Sequence, residues 1–173
     1  MQNHLVMTII GRDRTGLIES LARLIADNHG NWLESRMCRL GGEFAGILRV
    51  QVPEENEKKL IQELRAMHSG GLTVIVRPDE IAPSAGSTKN ASLSLIGQDR
   101  PGIIYQVSAA LANQNINVEE LESERFSAPM SGEMIFTAMA RLQIPESCAV
   151  ADLRKELEAI GGELMVDISF TES

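Results

Sequence analysis

The sequence predicts an α+β protein that contains the same unit twice, each with an antiparallel sheet and two helices on one face. Two observations support this prediction. The motif GRDRTGL, which begins at Gly11, returns 86 positions later as GQDRPGI, which begins at Gly97. Around both motifs, apolar residues alternate with a period of two and then follow a helical period, in the same order.

The elements are predicted in the order strand, helix, strand, strand, helix, strand. The strands are expected around Met7 and Leu93, then at residues 32–40 and 118–126, 49–53 and 141–145, and 72–76 and 164–170. The first helix of each copy follows the repeated motif and ends at Asn28–Gly30 or at 113–115, where Gly and Asn favour a left-handed cap. The second helix lies around Leu64 and Leu157. This order is that of a split βαβ, ferredoxin-like unit.

The repeat also sets the domain boundaries. The predicted units are residues 1–80 and 91–173, and the Pro-, Ser- and Gly-rich segment 81–90 is the predicted linker. RVQVP aligns with RLQIP, and Leu72 with Leu164, if the second copy has six extra residues in a loop near 127–132. Small units bury proportionally little surface, so we expect the two units, or two chains in a homodimer, to pair.

Composition narrows the class of protein. The net charge is −8 and no basic run occurs, which argues against direct nucleic-acid binding because phosphate neutralisation needs clustered Lys and Arg. No apolar stretch is long enough to span a membrane, and the N-terminus lacks the pattern of a signal peptide. Two cysteines without a CxxC pair agree with a cytoplasmic location.

The repeated motif joins the first strand of each copy to its first helix. Gly11 and Gly97 are predicted to adopt backbone angles that a side chain would forbid. Asp13 and Asp99 precede the helix, where a carboxylate can cap free N–H groups. Pro101 suits the first helical turn, where its missing N–H costs nothing.

A second pair of glycines, Gly16 and Gly102, falls at the start of the helix. Glycine is unfavourable inside a helix, so a small residue here indicates that something approaches the backbone N–H groups closely. A helix N-terminus attracts carboxylates, which makes a carboxylate ligand one interpretation. A tight turn with no ligand is the other, because such residues are common in turns. The segment is neither a GxGxxG fingerprint nor a P-loop.

The pattern G-x-D-R-x-G-[LI]-[LI] between a strand and an amphipathic helix resembles that of an ACT domain. Asn31 and Asn117 add to this resemblance, since Asn115–Asn117 reads Asn-Ile-Asn just past the helix. The resemblance covers both copies and implies regulatory modules that bind amino acids where two units meet. A tandem pair without a catalytic domain resembles ACT-type repressors of the glycine cleavage system, which respond to glycine and act through a DNA-binding regulator protein.

The resemblance implies ligand contacts in both loops and at the asparagines just past each helix. The residues are Gly11, Asp13, Arg14, Thr15, Gly16, Leu17, Asn31, Gly97, Asp99, Arg100, Pro101, Gly102, Ile103 and Asn117. Backbone N–H groups would receive the ligand carboxylate and an Asp or Asn its ammonium. Arg14 and Arg100 are expected instead to pair with the neighbouring Asp or with a partner unit. Thr15 departs from the commoner D-R-P-G, so the two loops need not be equivalent.

Two rival classes of function were considered. Catalysis requires a nucleophile, an acid–base pair or a metal site, and no such set of residues is repeated between the copies. We therefore predict no enzymatic activity, no metal and no cofactor. The second rival is an ACT-type interaction module that binds partner proteins but no small molecule.

Overall fold

The structure is a computed structural model that describes residues 1–80 and 87–172. The chain divides into two compact units, Met1–Ala82 and Pro83–Ser173. Unit 1 contains β1 (Gln2–Arg12), α1 (Leu17–Asp27), β2 (Asn31–Leu40), β3 (Glu43–Pro53), α2 (Glu54–Ala66), a short 3₁₀ helix (Met67–Gly70) and β4 (Leu72–Pro78). Unit 2 contains β5 (Thr88–Gln98), α3 (Ile103–Asn113), β6 (Asn117–Ser127), β7 (Met134–Pro145), α4 (Val150–Leu164) and β8 (Val166–Glu172).

Each unit has one four-stranded antiparallel sheet. The strand order is β2-β3-β1-β4 in unit 1 and β6-β7-β5-β8 in unit 2, so the strand that precedes the repeated motif is central in both. Both edge strands β2 and β6 have a bulge after their second residue, between Trp32 and Glu34 and between Val118 and Glu120. The predicted α+β class and the ferredoxin-like order of elements are confirmed.

Apolar side chains alternate along the strands and meet the helices on one face of each sheet. Leu48, Val50 and Val52 are fully buried, as the alternation in β3 predicts. The remaining core of unit 1 consists of Leu5, Met7, Ile9, Leu17, Leu21, Ile25, Leu60, Leu64, Leu72 and Val74. Unit 2 has a separate core, which includes Leu93, Leu95, Ile103, Val107, Leu111, Leu142, Ile144, Leu153, Leu157, Val166 and Phe170.

The last helix of unit 2 is longer than the sequence predicts. Leu164 was expected in the last strand, but it is the final residue of α4, and β8 begins at Val166. The residue that pairs with Gly97 is therefore Val166, whereas Leu72 pairs with Gly11 in unit 1. Leu72 is thus equivalent to Val166 rather than to Leu164. The alignment of β8 with β4 therefore differs from the predicted alignment by two residues. Because side chains alternate along a strand with a period of two, the side chains predicted to face the core still face it.

The end of the first helix also differs in detail from the prediction. The left-handed residues are His29 and Asn115, which occupy equivalent positions, and Gly30 is not among them. Gly30 is required for space, because a Cβ there would lie 2.8 Å from Ile25 Cγ2.

The predicted linker is partly strand. Thr88–Asn90 belong to β5, since Thr88 pairs with Pro145 and extends the central ladder to the end of β7. The predicted linker residues 81–86 lie outside the described part of the chain. The six extra residues of the second copy are confirmed: six residues connect β6 to β7 where two connect β2 to β3, and β6 and β7 are each one residue longer than β2 and β3.

Among residues 1–80 and 87–172, no helix is long and apolar enough to cross a membrane.

Candidate functional site

The repeated motif connects the central strand to the first helix in each unit. Gly11 is buried in β1, and a Cβ there would lie 2.4 Å from the carbonyl oxygen of Gly71. Gly97 is equally constrained, because a Cβ would lie 2.7 Å from Val166 Cα. These two glycines therefore permit close approach of the neighbouring strand. The predicted explanation, unusual backbone angles, is wrong: neither residue has a positive φ.

The second glycine of each motif is the one with the special backbone conformation. Gly16 has a φ of 85° and Gly102 a φ of 95°, and each is the N-cap of its helix. A left-handed conformation costs about 1–2 kcal/mol in a residue with a side chain, so glycine suits this position. A Cβ at either position would meet no protein atom within 4 Å, so the protein leaves open space there, and the prediction that a Cβ would block an approaching ligand stays a prediction.

The aspartates do not cap the helices. Asp13 Oδ2 lies 2.7 Å from Arg39 Nε, and Asp99 Oδ2 lies 2.6 Å from Arg125 Nε. The arginines belong to β2 and β6, where Arg39 and Arg125 pair with Phe44 and Phe136. Each aspartate thus ties its turn to the neighbouring edge strand, and the predicted capping role is wrong.

Backbone hydrogen bonds also connect each turn to the place where the edge strand is joined to the next strand, β2 to β3 in unit 1 and β6 to β7 in unit 2. Asp13 N donates to Gly42 O at 3.0 Å, and Asp99 N donates to Met134 O at 2.8 Å. Thr15 and Pro101 lie in the turn before the N-cap, so Pro101 precedes the helix instead of starting it. Within the described ranges no side chain of the N-cap residue caps α1 or α3, so the N–H groups of their first turns have no hydrogen bond from a capping side chain.

The arginines of the motif point away from the neighbouring aspartates. Arg14 Nη2 donates to Gly70 O at 3.0 Å, which joins the turn to the residues before β4. Arg100 Nη2 lies 3.2 Å from Gln98 Oε1 and 3.8 Å from Met165 Sδ, next to the start of β8. The expected pairing of these arginines with Asp13 and Asp99 is therefore wrong. Arg14 and Arg100 brace the turn against the segment that leads into the last strand.

An open cavity lies beside each turn. The cavity in unit 1 has a volume of about 450 Å³ and that in unit 2 about 220 Å³. Equivalent residues line them: Asp13, Arg14, Gly16, Leu17, Ile18, Glu19 and Phe44 in the first, and Asp99, Arg100, Gly102, Ile103, Ile104, Tyr105 and Phe136 in the second. Each cavity combines polar turn residues with an apolar wall, the usual composition of a site for a small organic ligand.

The asparagines are at the other end of each unit. Asn31 is the first residue of β2, eight residues before Arg39, which corresponds to roughly 25 Å of strand. Asn117 has the same relation to Arg125 in β6. The structure therefore does not bring Asn31 or Asn117 to the turn of its own unit.

Four residues near the turns were not predicted from the sequence: Arg39, Arg125, Phe44 and Phe136. A signal for the arginines was present, since Arg39 and Arg125 are separated by the same 86 positions as the two motifs. The phenylalanines are 92 positions apart because the six-residue insertion intervenes. Phe44 and Phe136 can be recognised as equivalent only when the position of this insertion is known.

A side chain on α1 has a raised pKa. The hydrogen bond and the attraction from Glu19 raise the pKa of Arg23, one helical turn further along α1. No group of three or more His, Cys, Asp or Glu side chains with the geometry of a metal site occurs in the described residues. The cavities therefore offer a bound molecule hydrogen bonds, charge and apolar contact.

Family comparisons agree with this architecture. Residues 3–76 and 91–145 each match a family model described as ACT domain. The chain belongs to the ACT domain family. Its two ACT domains are arranged in tandem, with one in each structural unit.

Individual relatives extend the comparison to the whole chain. The glycine cleavage system transcriptional repressor of Escherichia coli is 24% identical over 169 residues, which cover 94% of this chain and 86% of that protein. A UPF0237 protein of Streptococcus mutans is 34% identical over 83 residues, 48% of this chain and 88% of the relative. The chain is therefore an ACT-domain regulatory protein related to the glycine cleavage system repressor.

Solved structures share the tandem fold. An unknown protein from Galdieria sulphuraria is 29% identical, with a TM-score of 0.87 and coverage of 100% of this chain and 99% of that one. A structure assigned by name to the glycine cleavage system transcriptional repressors is 19% identical, with a TM-score of 0.68 and coverage of 100% and 98%. Because the sequence identity is only 19%, the second comparison shows a shared fold and no more.

Proposed function

We propose that this ACT protein is an amino-acid-responsive, indirect regulator of transcription whose ligand, glycine or another small amino acid, binds at the cavities beside the two turns. The observation that carries this proposal is the duplicated construction of the site. In each unit the same left-handed glycine and phenylalanine line a cavity, together with an aspartate that is paired with an arginine of the edge strand. A turn needed only to connect a strand with a helix would not require this whole set twice.

The chemistry of the cavities suits a free amino acid. The uncapped first turn of α1 or α3 presents N–H groups at the positive end of a helix, where a carboxylate is favoured. Asp13 or Asp99 is held beside this point by its arginine and can attract the ligand ammonium. The apolar wall, which includes Phe44 or Phe136, contacts the rest of the ligand.

Regulation through a protein partner is the second part of the proposal. The acidic net charge of −8 is unfavourable for direct contact with DNA phosphates. The related Escherichia coli protein is a transcriptional repressor by name. We infer that this chain acts in the cytoplasm on a DNA-binding regulator protein, and that the controlled genes belong to the glycine cleavage system. A homodimer is the proposed assembly.

A thermal shift series with the twenty amino acids tests the ligand. A molecule that binds only the folded state stabilises it by about 2.7 kcal/mol at a concentration of 100 times its Kd. We expect glycine or a close analogue to raise the melting temperature. No shift with any amino acid would overturn this part of the proposal.

Cavity-filling substitutions locate the binding site. Ile18→Trp and Ile104→Trp place a larger side chain in the first and second cavity, and their combination should abolish the ligand-induced shift. Ile75→Trp is the matched control, because Ile75 is 53% exposed, Ile18 is 48% exposed, and Ile75 lies in β4. A normal ligand response in the Ile18→Trp/Ile104→Trp double variant would place the ligand elsewhere.

An interaction module without a ligand is the alternative function. The sheet face of unit 1 that points away from its helices exposes three isoleucines, Ile10, Ile47 and Ile75, between 48% and 55%. Ile47 and Ile75 both pair with Thr8, so they lie on the same sheet face, on the two strands that flank β1. Such a patch suits a protein partner. This alternative predicts capture of a regulator protein from cell extract irrespective of glycine, together with no response in the thermal shift series.

A further inference from the structure

The two cavities have the same construction but differ in one side chain and in volume. Six of the seven lining positions have the same kind of residue in both units, and the seventh is Glu19 in unit 1 and Tyr105 in unit 2. The volumes are about 450 Å³ and 220 Å³. From these differences we propose that the cavities select different amino acids. The second takes glycine or a similarly small neutral one, and the first takes a larger one with a cationic side chain. This proposal rests on the proposed function.

The charge of Glu19 determines the preference of the first cavity. Its carboxylate is 57% exposed and lies at the rim, where it accepts a hydrogen bond of 2.9 Å from Arg23 Nε. A ligand ammonium or guanidinium that reaches the rim can replace Arg23 as the partner of this carboxylate. The replacement costs little, because exposed ion pairs one helical turn apart are weak.

The second cavity has no such charge. Tyr105 contributes a neutral phenol at the equivalent position, and the first turn of α3 has no acidic residue. Asp99, which also lines the cavity, is paired with Arg125. The smaller volume of the second cavity and the absence of a carboxylate at the position of Glu19 disfavour a long cationic side chain but accommodate glycine.

Calorimetry with glycine and with lysine tests the proposal on the full chain. Glycine should bind at the second cavity and lysine at the first, so that saturation with one leaves the affinity for the other unchanged. Glu19→Gln should weaken lysine binding by about fivefold, the scale of an exposed charge contact, and leave glycine binding unchanged. Arg23→Gln should strengthen lysine binding, because it removes the competitor for Glu19.

Three further variants and a salt series complete the test. Glu55→Gln removes an exposed carboxylate from α2 and should change neither affinity. Tyr105→Phe should leave glycine binding intact, while Ile104→Trp should abolish it and spare lysine. Added salt should weaken lysine binding more than glycine binding.

The outcomes separate the two proposals. If glycine binds with equal affinity to both units and lysine does not bind, the difference between the cavities is refuted and the proposed function stands. If lysine binds but Glu19→Gln has no effect, Glu19 is not its partner and the inference is overturned. If no amino acid binds, the proposed function fails, and this inference fails with it.

Discussion

The glycines of the motif show how one residue type meets different physical requirements. Gly11 and Gly97 are needed because another strand lies where a Cβ would be, while Gly16 and Gly102 adopt a left-handed conformation in open surroundings. Local sequence cannot distinguish these reasons. Both appear as a glycine beside an aspartate and an arginine, and only the backbone angles and the position of the next strand separate them.

Substitutions at Gly102 should reveal the conformational requirement. Gly102→Val should destabilise the protein by about 1–2 kcal/mol, because a side chain is strained at a φ of 95°. Gly102→Asn should cost less, since Asn tolerates this region. Gly162→Ala is the control: Gly162 is inside α4 with open space around it, and alanine should stabilise the helix by about 0.5–1 kcal/mol. Urea unfolding measures all three, and equal costs for Val and Asn would refute the explanation.

The two cysteines should differ in reactivity. Cys38 is exposed, whereas Cys148 is partly covered, and burial raises the pKa of Cys148, with a smaller contribution from Glu172. A raised pKa leaves less thiolate at pH 8, and the thiolate is the reactive form. We expect a disulfide reagent to modify Cys38 before Cys148. The rate of modification of Cys148 should increase with pH, because its thiol ionises only at higher pH. Peptide mass spectrometry at several time points would contradict this if Cys148 reacted first.

Within each unit, an ion pair connects the turn that carries the motif to an edge strand of the sheet. Asp13–Arg39 and Asp99–Arg125 link the β1–α1 and β5–α3 turns to the edge strands β2 and β6. Asp99 is the less exposed aspartate, at 28% against 36% for Asp13. These pairs position the aspartates beside the cavities, so their main role is in shaping the candidate sites.

A double-mutant cycle on Asp99 and Arg125 should give a small coupling. Partly exposed pairs contribute about 0.2–1 kcal/mol, and we expect Asp99→Asn combined with Arg125→Gln to fall in this range. The cycle on Asp13 and Arg39 is the matched control and should give a smaller value, because Asp13 is more exposed. A coupling well above 1 kcal/mol in either cycle would show that the pair is a major source of stability.

The two helices of unit 1 share a polar contact that has no counterpart in the described residues of unit 2. Asn28, buried at the end of α1, donates from Nδ2 to Leu24 O at 2.9 Å and to Glu63 Oε2 of α2 at 2.6 Å. Asn28→Ala should destabilise the protein by about 1–3 kcal/mol, because Leu24 O and Glu63 lose a donor. Gln114→Ala changes the equivalent cap residue of α3 and should have less effect. Thermal unfolding compares the two, and equal losses would contradict a special role for Asn28.

The whole molecule is an acidic tandem of ACT domains, and its charge bears on its partners. With a net charge of −8, the purified chain should not bind a defined promoter fragment by itself. A gel-shift titration at low salt checks this, with the chain alone and with a DNA-binding regulator protein captured from cell extract. A salt-sensitive shift by the chain alone in the nanomolar range of specific binders would refute indirect action.

The duplicated unit, the order of its elements and the side chains that face each core could all be predicted from the amino-acid sequence alone. These features follow from local periodicity: residues two apart share a strand face, and residues three or four apart share a helix face. Which side chains contact each other became known only from the three-dimensional structure. Asp13 was predicted to cap a helix, but it pairs with Arg39. Asn31 was expected near the turn, but it lies at the other end of its unit. The structure also made Leu72 equivalent to Val166. Such contacts depend on strand pairing and helix length, which join residues far apart in the chain and leave no trace in local periodicity.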